Sequence, residues 1–173
     1  MNNMMKAAWL ALLLFALPVL AFAEAPVMLV DLPESAQMVE NVEFEGGDFI
    51  QTYQLEDGIT VQLLRYTGFE MTIDDLILSD WPVNCGVVMQ ERTELSGLPA
   101  RHAHILQAYD ASGYPVKDAG ASGSVMAIDL IVVNADGAAL IFQSISKPGA
   151  DAEMMTKIIE SLKIQGAEEV EVG

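Results

Sequence analysis

The stretch that decides the fold reads Val125-Met126-Ala127-Ile128-Asp129-Leu130-Ile131-Val132-Val133, then Asn134-Ala135-Asp136-Gly137, then Ala138-Ala139-Leu140-Ile141-Phe142-Gln143-Ser144-Ile145-Ser146. Two apolar, β-branched runs flank an Asp-Gly pair that supplies the left-handed backbone a tight turn needs, so 125–146 is expected to be a β-hairpin. The same logic works outward in both directions. Residues 48–55 and 59–66 flank Glu56-Asp57-Gly58 as an earlier hairpin, and 86–94 and 100–109 read as strands joined through Leu95-Ser96-Gly97-Leu98-Pro99. Downstream, Met154, Met155, Ile158, Ile159 and Leu162 form an apolar face opposite Lys157, Glu160 and Lys163, which predicts an amphipathic helix after Pro148-Gly149. Thr72-Ile73-Asp74-Asp75 resembles a capping box, and the helical period that follows it predicts a short helix over 72–80, ended by Pro82. Consecutive hairpins with a few helices imply an α+β class, a mainly antiparallel sheet packed against helices.

The rest of the chain divides around that domain. Residues 1–23 read as a cleavable signal peptide: Lys6, an apolar run from Ala7 to Leu20 that is short for a bilayer span, and an Ala21-Phe22-Ala23 ending of small-residue type. Residues 24–40 are expected to be a surface lead-in without lasting period, 41–165 a single domain, and 166–173 an acidic tail. The loop 110–124, rich in Gly and Ser, has no regular pattern.

Net charge is −17, from 8 Lys+Arg against 25 Asp+Glu, and removal of 1–23 takes away Lys6 and no carboxylate. So anionic a chain repels nucleic-acid phosphates and acidic lipid headgroups, which sets both aside as partners. Cys85 is the one cysteine in the sequence, so no disulfide within the chain is available and stability must come from the core. No later segment is apolar enough to span a membrane, and the expected location is periplasmic or secreted.

The early hairpin over Phe49 to Tyr66, Leu95-Ser96-Gly97-Leu98-Pro99-Ala100 entering a strand, the hairpin over Val125 to Ser146, and the ending Ile158-Ile159-Glu160-Ser161-Leu162-Lys163-Ile164 together resemble the PsbP-like fold. That group includes small bacterial periplasmic proteins related to DcrB. The resemblance implies binding or assembly-assisting roles in exported compartments, and it carries no functional residue onto this chain. The long 110–124 loop and the extreme acidity depart from it.

Chemistry-bearing residues are few. His102 and His104, two apart on an expected strand, point to one face and are close enough to share a metal or a proton. The stronger reading is a half-exposed polar strand face beside Arg101, because two ligands fall short of a zinc signature. Cys85 supplies a third ligand if its strand lies alongside. It is alternatively a nucleophile activated by a histidine, a thiol for an intermolecular disulfide, or, the stronger reading, a small buried hydrophobe. Asp129 interrupts an apolar run, where an unpaired carboxylate would be costly, so it is expected to face solvent or to pair with Arg65, Arg92 or Arg101. Adjacent carboxylates such as Asp74-Asp75, Glu56-Asp57 and Glu168-Glu169 read as solvated faces, and Met154 and Met155 as core fillers. There is no Gly-x-Ser-x-Gly elbow, His-Glu-x-x-His pair, phosphate loop or EF-hand loop.

The resulting expectation is an exported, non-catalytic domain that needs no cofactor and binds or assists a protein partner in the cell envelope. A metal-binding protein built on the His102/His104 pair is the alternative, and a thiol enzyme at Cys85 a third reading.

Overall fold

A computed structural model describes residues 25–68, 85–116, 118, 120 and 122–166, with backbone alone over 85–88. In chain order the strands are β1 (Val27–Leu29), β2 (Gln37–Glu43), β3 (Phe49–Gln54), β4 (Thr60–Thr67), β5 (Cys85–Leu95), β6 (Leu98–Tyr109), β7 (Pro115–Val116), β8 (Ser124–Ala135), β9 (Ala138–Ser146) and β10 (Lys163–Gln165). The α-helix α1 (Ala152–Glu160) lies between β9 and β10, and a 3-10 turn spans Glu56–Gly58.

The decisive hairpin is β8–β9. Ala135 pairs with Ala138, which leaves Asp136 and Gly137 as a two-residue loop with φ of 47° and 77°. Two successive left-handed residues make a turn whose twist matches the strands, and Asp-Gly is a sequence that adopts it readily. Ser96-Gly97 closes β5–β6 in the same manner, with φ of 53° and 77°.

The hairpins assemble into one antiparallel sheet of order β2-β3-β4-β9-β8-β6-β5, with β7 added at the far end of β6. The first half joins the second at β4–β9, where Leu63 sits opposite Phe142. β1 and β10 form a separate two-stranded ribbon.

One face of the sheet buries Val61, Leu63, Ala100, Ile131, Val133, Leu140 and Phe142, in one cluster with Met28 and with Met155, Ile158 and Leu162 from α1 and its end. The helix starts where expected because the Asp151 carboxylate accepts a hydrogen bond from the Met154 N–H at 3.0 Å, satisfying a donor that the first turn leaves open. The opposite face holds a smaller cluster of Ala103, Ile105 and Ile128 with Ile145 packed on it. Burial on both faces explains why β8 reads as a nearly continuous apolar run instead of an alternating one.

The α+β expectation is corrected. Among the described residues the protein is mostly antiparallel β, 58% strand and 10% helix with a single α-helix, rather than a sheet packed against helices. Two physical reasons account for the difference. The strands on either side of Ser96-Gly97 and Asp136-Gly137 run to 11 or 12 residues in β5, β6 and β8. The lead-in at 24–40 also contains strand: β1 and the start of β2. As an edge strand with six of its seven residues exposed, β2 shows no apolar alternation to read. The expected helix at 72–80, the signal peptide at 1–23 and all but Gly166 of the acidic tail lie outside the described residues. Among the described residues no helix is long and apolar enough to cross a membrane.

Candidate functional site

Strand parity puts His102 and His104 on the face of β6 that also carries α1, and the neighbouring strands decide what they meet. His102 lies between Glu91 on β5 and Ile131 on β8, and His104 between Met89 and Asp129. The His104 Nδ1–H donates to the Asp129 Oδ1 at 2.8 Å. His102 presents Nε2 to the same Oδ1 at 3.5 Å and Nδ1 to the Glu91 Oε1 at 3.6 Å. At those lengths the His102 contacts act through charge more than through formed hydrogen bonds, and its Nε2 has no hydrogen-bond partner among the described residues.

Electrostatics follows from this geometry. The Asp129 carboxylate raises the His102 pKa above its ordinary value; burial works against that, and Glu91 adds to it. For Asp129 the largest influence is burial, which pushes its pKa up, but the contacts with His102 and His104 together outweigh it and hold the carboxyl below its ordinary range. The side chains of His102 and Asp129 are each 16% exposed, so solvent screens them little.

The expected arginine pairing of Asp129 is thus replaced by the two histidines. Asp129 faces His104 across β6–β8, whereas Arg101 has the opposite parity, and Arg65 sits two strands away on β4, where its Nη1 donates to the Gly47 carbonyl. No sequence signal singled out this partnership, because it depends on the register between β6 and β8.

The structure therefore brings His102 and His104 together but does not set Cys85 beside them. Cys85 pairs with Gln107, three residues beyond His104 and about 10 Å along the strand at roughly 3.3 Å per residue. Among the described residues no group of three or more His, Cys, Asp or Glu is arranged to hold a metal ion. Ser144 lies opposite Asp129 on β9, yet its hydroxyl is buried with no hydrogen-bond partner among the described residues, so the serine–histidine bond that activates a nucleophile is not formed there. Met155 is buried and Met154 half-buried in the core under α1.

Beside His102 opens a cavity of about 330 Å³ between β5 and the end of α1. Glu91, Glu94 and Glu160 line it together with Leu95, Ile131 and Ile159. Glu160 is the last residue of α1, so the negative end of the helix dipole adds to the carboxylates. An apolar floor under an anionic rim suits a cation carried on an aliphatic stem.

No family model and no curated protein matches the chain, so no family or sequence match supports the PsbP-like or DcrB relation. Among solved structures the chain is similar to LpqN, described as involved in cell envelope biogenesis of Mycobacterium tuberculosis, at 14% identity and a TM-score of 0.44 over 82% of this chain and 84% of that one. A likeness of that size sets no activity, ligand or partner for this chain.

Proposed function

We propose that this protein is an exported, non-catalytic binding domain of the cell envelope that takes up a cationic group of a partner protein in the cavity beside His102. The observation that carries the reading is the make-up of that cavity, Glu91 and Glu160 beside Leu95, Ile131 and Ile159. A lysine or arginine side chain lays its methylene stem on such a floor and its charge among such carboxylates. The His102–Asp129–His104 cluster gives the floor a fixed shape and offsets part of the Glu91 charge.

The proposal is tested by titrating the protein with n-butylammonium while following backbone amide shifts. Shifts centred on residues 91–95 and 159–160, weakened about tenfold when Glu91→Gln and Glu160→Gln are combined, support it. Equal shifts in that double variant would count against it.

The metal-binding alternative is the weaker reading, because His104 is committed to Asp129 and both nitrogens of His102 face carboxylates.

A further inference from the structure

From Ala25 to Leu64 the chain carries carboxylates and no Lys, Arg or His. β2 lies inside this segment, at one end of the sheet order, paired with β3 on one side and with no strand on the other among the described residues. An edge strand offers a row of unpaired N–H and C=O groups and is a template for a further strand. Here the edge also presents apolar side chains: Met38 is 51% exposed, Val39 60%, and Phe44, one residue past the strand, 50%. A cleft of about 410 Å³ opens at the head of β2, lined in part by Glu34, Ala36, Gln37 and Glu56.

The charges decide what the edge accepts. Glu40 and Glu43 are exposed along it, and the pairing register shifts between Met38 and Glu40, so Val39 is an extra, bulged residue. Bulges and like charges both discourage an edge from pairing with its own kind. A second copy laid antiparallel on β2 brings a second set of the same carboxylates along this edge, a repulsive arrangement. A basic strand meets the same carboxylates as opposite charges.

We infer that the free edge of β2 docks an extended basic segment of a partner protein, which lengthens the sheet by one strand, sets lysines or arginines against Glu40 and Glu43, and packs apolar side chains on Met38, Val39 and Phe44. This surface is at the other end of the sheet from the cavity beside His102, and the two do not depend on each other.

Amide hydrogen exchange of the full chain tests it, with a short valine peptide carrying two lysines three residues apart as probe, one lysine to each face, and the same peptide with glutamate in place of lysine as control. The expected result is exchange slowed about tenfold or more across residues 37–43 by the basic peptide alone, with the effect lost when Glu40→Lys and Glu43→Lys are combined. Glu43→Lys alone is the second variant, since its carboxylate makes no hydrogen bond among the described residues while Glu40 accepts one from Thr52; it is expected to weaken the protection. Equal protection by both peptides, protection centred away from β2, or a dimer formed through β2 in sedimentation would each overturn the inference. Glu91→Gln with Glu160→Gln leaves the protection at β2 intact, which separates failure here from failure of the cavity reading.

Discussion

Replacing Asp129 by Asn removes the negative charge shared by two imidazoles while keeping the shape and one acceptor oxygen. In the native protein the His102 pKa is raised, so its contribution to stability is whole below its unfolded value near about 6.5 and is lost as pH climbs through the raised value. The Asp129 pKa is lowered, so its contribution is whole above its unfolded value near about 4 and is lost as pH falls through the lowered one. The cluster is therefore strongest between about pH 4 and about pH 6.5. The 2.8 Å His104–Asp129 bond is the one well-formed hydrogen bond lost as an ionic contact, and the 3.5 Å contact to His102 adds charge with poor geometry. A hydrogen bond to a charged group contributes about 1.5–3 kcal/mol, and the substituted amide still accepts from His104, so the expected loss near pH 5.5 is about 2 kcal/mol. For a domain of this size that lowers the melting temperature by about 4–8 °C. At a pH above the raised His102 value that contribution is lost, and the variant also avoids burying a carboxylate, so the difference falls below about 1 kcal/mol. Urea unfolding of both proteins across this range measures it. A loss that is the same at both pH values would refute the assignment of His102 and Asp129 as a charged pair.

Two further outcomes are expected. Gly47→Ala and Gly137→Ala both force a side chain to positive φ, at 84° and 77°, a cost of about 1–2 kcal/mol each. At Gly47 the new Cβ also falls 2.6 Å from the Nη1 of buried Arg65, whereas at Gly137 it meets nothing within 4 Å. Gly47→Ala is therefore the more destabilising by about 1–3 kcal/mol in urea midpoints, and equal costs would show that Arg65 moves freely. Native mass spectrometry of the whole protein is expected to give the same mass before and after chelation, since Asp129 and Glu91 engage both histidines. A chelator-sensitive increment of one ion, absent from His102→Ala and His104→Ala, would restore the metal reading.

Much of the β architecture was legible because its signals are local. Asp136-Gly137 and Ser96-Gly97 lie at two-residue turns, and a positive φ at both positions leaves few other backbone solutions. The Met155, Ile158 and Leu162 stripe marks the buried side of α1 and its end for the same reason, since helical spacing alone brings those residues together. The balance of strand to helix was harder to read. β2 lacks alternation because it is exposed on both faces, β1 exists only because β10 returns to pair with it, and the helix reading at 72–80 is outside the described residues.

The candidate site divides along the same line. That His102 and His104 share a face was determined by their spacing of two, which any extended strand turns into a common side. That Asp129 lies between them, that Cys85 falls opposite Gln107, and that Glu91 and Glu160 line one cavity were decided only by the tertiary structure. The physical reason is register. One residue of slip between β6 and β8 turns Asp129 to the other face and places another residue at the histidines, and no short-range pattern in the chain specifies which pairing wins. The choice belongs to the sheet as a whole, through the burial of Phe142, Ile131 and Val133 against α1.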